Sequence, residues 1–137
     1  MKRVVLDTNA LLRCISSKSK YSFVLDLLFA GDYQICISND IVLEYEEKIA
    51  GIFSKDTAEL ILGAFSLSSS VINVEVKFNL DLIHEDQDDN KFVDCCFVSN
   101  AHFIVTNDKH FNKLKEIDFP KFNVITLEDF AESLREK

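Results

Sequence analysis

The sequence predicts an α/β domain, a three-layer α/β/α sandwich built on a mostly parallel sheet of about five strands. Three observations lead there. Short apolar runs alternate with helical patterns along the whole chain, which is how parallel strands joined by helical crossovers read. Only 3 Gly and 1 Pro occur in 137 residues, leaving little room for long loops or disorder. Two of the strand-like runs, "VVLD" and "FIVTND", end on a carboxylate, and the carboxyl ends of strands are where ligands bind in open parallel sheets.

The elements follow in order. "RVVLD" reads as a short buried strand and "NALLRCI" as the helix after it. Past the polar "SSKSKY", a second helix "SFVLDLLFA" stops at Gly31, a C-cap-like position. "YQICIS" is the second strand. "SNDIVLEYEEKIAGIF" opens with Ser38, Asn39 and Asp40 as N-cap candidates and continues as an amphipathic helix. "SKDTAELILGAFSLSS" is a further helix capped by Ser54, with Gly63 a mild weakness in it. "VINVEV" and "FIVT" are the third and fourth strands, separated by a helix beginning near Asp88 or Asp89. After the basic segment "KHFNKLKEID", Pro120 breaks the chain, "FNVIT" makes the fifth strand and "LEDFAESLREK" the closing helix. With no repeat, linker or low-complexity stretch, residues 1–137 read as a single domain.

Composition narrows the class. Apolar residues make up 47 % of the chain, and 12 Phe are expected to supply much of a core. No run reaches the roughly 18 apolar residues a membrane span needs. "MKRVVLDTN" is too short for a signal-peptide core, so a cytoplasmic protein is expected. Cys14, Cys36, Cys95 and Cys96 show no C-x-x-C spacing, which argues against a zinc site and for reduced, core-filling thiols. The net charge of −8 is unfavourable for a polyanion binder unless cations offset it. Arg13, Lys18 and Lys20 follow the first acidic segment, and Lys109, Lys113 and Lys115 follow the last; each could equally be an ordinary solvated side chain.

Four segments carry carboxylates in a pattern that suggests chemistry. Asp7 ends the first strand, where it can act as an N-cap or hold a cation. Glu44 lies at the margin of the apolar stripe of Ile41, Val42, Tyr45 and Ile49, while Glu46 and Glu47 continue to the solvent face. Asp86, Asp88 and Asp89 crowd a helix start, where acids favour the macrodipole. Asp94 is harder to dismiss, because it interrupts the apolar run Phe92, Val93, Cys95, Cys96. A buried carboxylate costs several kcal/mol unless it is paired or metal-bound; Lys91 is one candidate partner and a metal another. Asp108 repeats the arrangement of Asp7, with Thr106 beside it and His110 two residues on, the latter read as a surface or packing residue. His84 and His102 have no evident partners.

Taken together, "VVLDTNALLR", "SNDIVLEYEE", "DQDDNKFVDCC" and "AHFIVTNDKHF" resemble, in order and context, the four motifs of the PIN-domain nucleases, in particular the small VapC-like toxins of toxin–antitoxin pairs. The resemblance spans essentially the whole chain. It implies a PIN-like fold and a ribonuclease dependent on Mg²⁺ or Mn²⁺, with Asp7, Glu44, Asp89 and Asp108 as the catalytic and metal-binding acids. Thr8, Asn9 and Thr106 would support them. Asp89 is the best match in the third segment, with Asp86 and Asp94 as further acids, so which of the three meets metal stays open. The resemblance further implies an RNA substrate, a cognate antitoxin and a homodimer. The chain departs from the commoner form of the family, whose helix after the third acid is alanine-rich. Two other enzyme classes are disfavoured. A haloacid-dehalogenase-type phosphotransferase wants a second Asp where Asn9 stands, and a dinucleotide-binding domain wants a Gly-rich turn after the first strand. The remaining alternative is a PIN-like module that binds RNA or protein without hydrolysis.

Overall fold

A computed structural model describes residues 2–83 and 87–136. Five parallel strands lie in the order β3-β2-β1-β4-β5, flanked by helices as the alternation predicts. In chain order they are β1 (Arg3–Leu6), α1 (Thr8–Ile15), α2 (Ser22–Ala30), β2 (Gln34–Ile37), α3 (Asn39–Ile52), α4 (Lys55–Leu67), β3 (Val71–Asn73), α5 (Asn90–Ser99), β4 (Phe103–Val105), β5 (Val124–Ile125) and α6 (Leu127–Arg135). Short 3₁₀ turns occupy Gln87–Asp89 and Lys109–Glu116.

Local chemistry sets the helix ends. Ser38 and Ser54 each accept a hydrogen bond from the backbone N–H three residues on, at Ile41 and Thr57, and Thr126 does the same for Asp129. Each satisfies a donor that the first helical turn leaves orphaned. Helix α2 stops where Gly31 adopts φ 89°, with the N–H groups of Gly31 and Asp32 closing back onto Leu28 and Leu27. That left-handed cap is one a side chain resists. Asn100 terminates α5 in the same way at φ 55°.

The sheet core is fully buried at Val4, Val5, Leu6, Ile35, Cys36, Ile104 and Val105. Continuous apolar strands of this kind are expected when both faces are covered. Phe is less central than its number suggests. Phe29, Phe53, Phe78, Phe97 and Phe119 are exposed, whereas Tyr33 and Tyr45 are fully buried. Both tyrosines satisfy their hydroxyls on backbone carbonyls, Tyr33 on Val24 at 2.7 Å and Tyr45 on Leu6 at 2.6 Å, which is what allows them inside. Helix α2 buries Val24, Leu25 and Leu28 in this core and exposes Phe29. All four cysteines are buried and free; burial pushes the Cys14 and Cys96 thiols up to about 12, so they are core residues.

The third strand is shorter than "VINVEV" promised. It ends at Asn73, because its partner β2 ends at Ile37, opposite Asn73, and the Val74 N–H makes the last ladder bond to the Ile37 carbonyl at 2.8 Å; farther on, side chains from α5 bind the backbone. Asp94 accepts from the Leu80 N–H at 2.9 Å, and Asn90 holds both the N–H and the carbonyl of Ile83 at 2.8 Å. A backbone bound by side chains has no need of a ladder. Among the described residues no helix is long and apolar enough to cross a membrane.

Candidate metal centre

The site follows from strand register. β1 and β4 are neighbours, with Leu6 opposite Val105, so the residues just beyond them, Asp7 and Thr106, meet at the carboxyl edge of the sheet. The Asp7 N–H continues the ladder to the Val105 carbonyl at 3.0 Å, and Thr106 Oγ1 donates to Asp7 Oδ2 at 2.7 Å. The same Thr106 hydroxyl accepts from the Asp108 N–H at 3.0 Å. One threonine therefore ties together the two strand-end acids. Asp7, Asn9, Ala10, Arg13, Asn107 and Asp108 line a cleft of about 200 Å³.

Asp7 is 5 % exposed. Its carboxyl is raised from 3.8 to about 6, first by desolvation and further by the Asp108 and Glu44 carboxylates, against the opposing hydrogen bonds from Thr106 and the Thr8 backbone. A carboxylate held this way, with acids around it, would gain from a cation. The residues present therefore fit a divalent ion, for which hard carboxylate oxygens are the natural ligands.

Glu44 reaches the site from the second turn of α3, and both of its oxygens are engaged. Thr8 Oγ1 donates to Oε2, and Lys91 Nζ, from the first turn of α5, lies 2.5 Å from Oε1. The two charged side chains are only 19 % and 18 % exposed. Lys91 was a sequence candidate for pairing with Asp94; it pairs with Glu44 instead, across 47 positions of sequence, and no local pattern signals it. Lys91→Met is expected to lower stability by about 1–2 kcal/mol, because the remaining carboxylate is left half-buried beside other acids. Urea denaturation at neutral pH reads this, and an unchanged midpoint would show that the pair contributes nothing.

Asp89 is buried and sits in the 3₁₀ turn leading into α5. Its Oδ2 lies 3.5 Å from His110 Nδ1, and that nitrogen is also 3.5 Å from Asp108 Oδ1. Asp89, Asp108 and His110 thus form a group whose candidate ligand atoms all lie within 4.8 Å of one another. Asp94 is buried as expected; its Oδ1 accepts from the Leu80 N–H, and Asp81 is the carboxylate that raises it. Asp86 and His84 lie outside the described residues. His102 accepts from the Arg3 N–H at 3.0 Å. Of the two basic clusters, Arg13 lines the cleft, held by Glu128 at 3.0 Å and set over the Tyr21 ring at 5.0 Å. Asn107 binds the same Glu128 at 2.8 Å, and these two hydrogen bonds hold the Glu128 carboxyl down at about 2.

Comparison with known proteins bears on the fold that carries this edge. The uncharacterized protein MJ1680 of Methanocaldococcus jannaschii is 32 % identical over 133 residues, covering 91 % of this chain and 83 % of that protein. Among solved structures, VapBC2 of Rickettsia felis, bound to a DNA fragment from its promoter, superposes with a TM-score of 0.60 at 19 % identity, over 90 % of this chain and 98 % of that one. PAE2754 of Pyrobaculum aerophilum gives 0.59 at 16 % identity over 99 % and 91 %. The sarcin–ricin-loop-cleaving toxin VapC20 of Mycobacterium tuberculosis gives 0.57 at 14 % identity over 80 % and 92 %. At such identities these structures speak to the fold. The family model described as PIN domain matches residues 3–110, a span that holds Asp7, Glu44, Asp89 and Asp108, and the chain belongs to the PIN-domain family.

Proposed function

We propose that this protein is a divalent-metal-dependent endoribonuclease, working as one domain over residues 1–137, and that it is the toxin of a toxin–antitoxin pair. The observation that carries the reading is the meeting of strand-end Asp7 and Asp108 through one threonine, with Glu44 and Asp89 brought up from helical elements beside them. Asp7, Asp89 and Asp108 would hold the cation, Mg²⁺ or Mn²⁺. Such an ion supplies Lewis acidity toward a phosphodiester and makes water a better nucleophile at neutral pH.

The chain's own residues do the remaining work. Thr106 orients Asp7 and fixes the Asp108 backbone, so that both acids face the cleft without rearrangement. Thr8 orients Glu44, while Lys91 offsets its charge. Arg13, preset by Glu128 and Tyr21, offers a cation to an RNA phosphate at the cleft wall. Purified protein with Mn²⁺ is expected to cut single-stranded RNA, and a chelator should stop it. RNA left intact with either metal would sink the nuclease reading.

Partners follow from the same reading. The VapBC2 neighbour is a complex with DNA, and for this chain we propose a cognate antitoxin, a homodimer and a cytoplasmic location. The second reading, a PIN-like module that binds RNA or protein without cleaving, is favoured by one observation. Both Glu44 oxygens already have protein partners, so a cation reaching Glu44 must compete with Lys91.

A further inference from the structure

His110 stands beside the acidic edge, and the nuclease reading does not use its chemistry. It sits in the 3₁₀ turn that follows β4, and its own N–H donates to Asp108 Oδ1 at 2.9 Å. That bond caps the turn, and the ring's Nδ1 faces the Asp89 and Asp108 carboxylates. Its Nδ1 is buried and makes no hydrogen bond among the described residues, although the ring as a whole is 41 % exposed. A buried imidazole nitrogen without a partner is costly, and this one stands 3.5 Å from an oxygen of Asp89 and 3.5 Å from an oxygen of Asp108. Metal–ligand bonds of about 2.1 Å put adjacent ligand atoms roughly 3.0–3.4 Å apart at octahedral to tetrahedral angles. The two separations from Nδ1 are close to that range, and the two carboxylates, within 4.8 Å of each other and of the ring nitrogen, would draw together around a shared cation.

We infer that His110 is a metal ligand: its Nδ1, with one oxygen each from Asp89 and Asp108, holds a divalent transition-metal ion and makes the centre prefer Mn²⁺ to Mg²⁺. This rests on the reading of the acidic edge as a cation site and narrows it. Mg²⁺ takes oxygen ligands and sheds water reluctantly, whereas imidazole is a ligand suited to transition metals. An all-carboxylate centre would discriminate little between the two ions; one nitrogen donor tips the balance. The partial exposure of Asp108 and His110 leaves coordination positions open, as a catalytic rather than a structural centre requires. A protonated ring merely bridging two carboxylates would have similar contacts without coordinating anything, and the test separates these two cases.

Titration calorimetry of the full chain with Mn²⁺ alone, and separately with Mg²⁺ alone, reads the preference without any RNA. Pulsed electron paramagnetic resonance of the Mn²⁺-loaded wild type reads the ligand, since a coordinated imidazole produces nitrogen hyperfine coupling and carboxylates do not. Wild type is expected to bind Mn²⁺ at least about tenfold more tightly than Mg²⁺ and to show that coupling. In His110→Phe, which keeps a ring and removes the nitrogen, the coupling should vanish and Mn²⁺ affinity should fall about tenfold or more, with Mg²⁺ affinity changing little. The wild-type spectrum needs no variant, so a misfolded His110→Phe does not leave the matter open. Mn²⁺ binding without nitrogen coupling, or equal affinities for the two ions in wild type, overturns the role of His110 while leaving the cation site standing. Failure of wild type to bind either ion overturns both.

Discussion

Asp7→Asn should abolish metal-dependent RNA cleavage, by about a thousandfold or more, while making the metal-free protein more stable. Both effects have one cause. Asp7 is nearly fully buried, and its carboxyl is raised from 3.8 to about 6 by desolvation and by Asp108 and Glu44. A folded-state value above the unfolded one means that folding favours the protonated acid. The associated stability is present below about pH 4 and is lost as pH rises through about 6. At neutral pH the ionised form therefore costs on the order of 3 kcal/mol. Asparagine can still accept the Thr106 hydroxyl and carries no charge, so the variant should melt several degrees higher without metal at pH 7 and lose the advantage near pH 4. Some pH dependence in this range remains, because burial also raises Asp94. Thermal melts with a chelator across pH 4–8, alongside an RNA cleavage assay, check both halves. A variant that cuts RNA as well as wild type removes Asp7 from the chemistry. One that is less stable than wild type at pH 7 shows that Asp7 is not the strained group described here.

Phe130→Ala should be among the most destabilising single substitutions, at about 3–5 kcal/mol. Phe130 is fully buried in α6, and its ring meets that of Tyr33 edge-on at 5.1 Å and 82°. Leu127, Ala131 and Leu134 complete the same buried face. This helix lies beyond the 3–110 span of the family match, yet it closes the core and supplies Glu128, which holds Arg13 and Asn107 at the cleft. Urea denaturation reads the loss. A cost under about 1 kcal/mol would show that α6 docks only loosely.

Much of the fold was legible because its signals are local. "SFVLDLLFA" is α2 to the residue, and Gly31, Ser38 and Ser54 mark helix ends by short-range chemistry. The same holds for the strand-end acids. A parallel sheet necessarily brings the residues following neighbouring strands to one edge, so Asp7 and Asp108 could be placed near each other before any coordinates. Where local and tertiary effects competed, the sequence misled. "VINVEV" has full strand character, but its neighbour β2 ends at Ile37, opposite Asn73, and the strand stops at three residues for want of a partner. Asp94 looked like a ligand because a buried acid needs compensation. The structure supplies one partner, a backbone N–H fourteen positions earlier, while burial still raises the carboxyl.

The sequence by itself determined the alternation of strands and helices, the helix caps, and the identity of the acids at the sheet edge, since each depends on residues within a turn or strand of one another. Only the tertiary structure decided which charges those acids face. Lys91 meets Glu44 and Asp89 meets His110 through the packing of α5 and the β4-to-β5 turn, at separations of 47 and 21 residues. No periodicity encodes a contact between side chains on different elements, and at this edge such contacts set burial, charge balance and the ligands a cation would find.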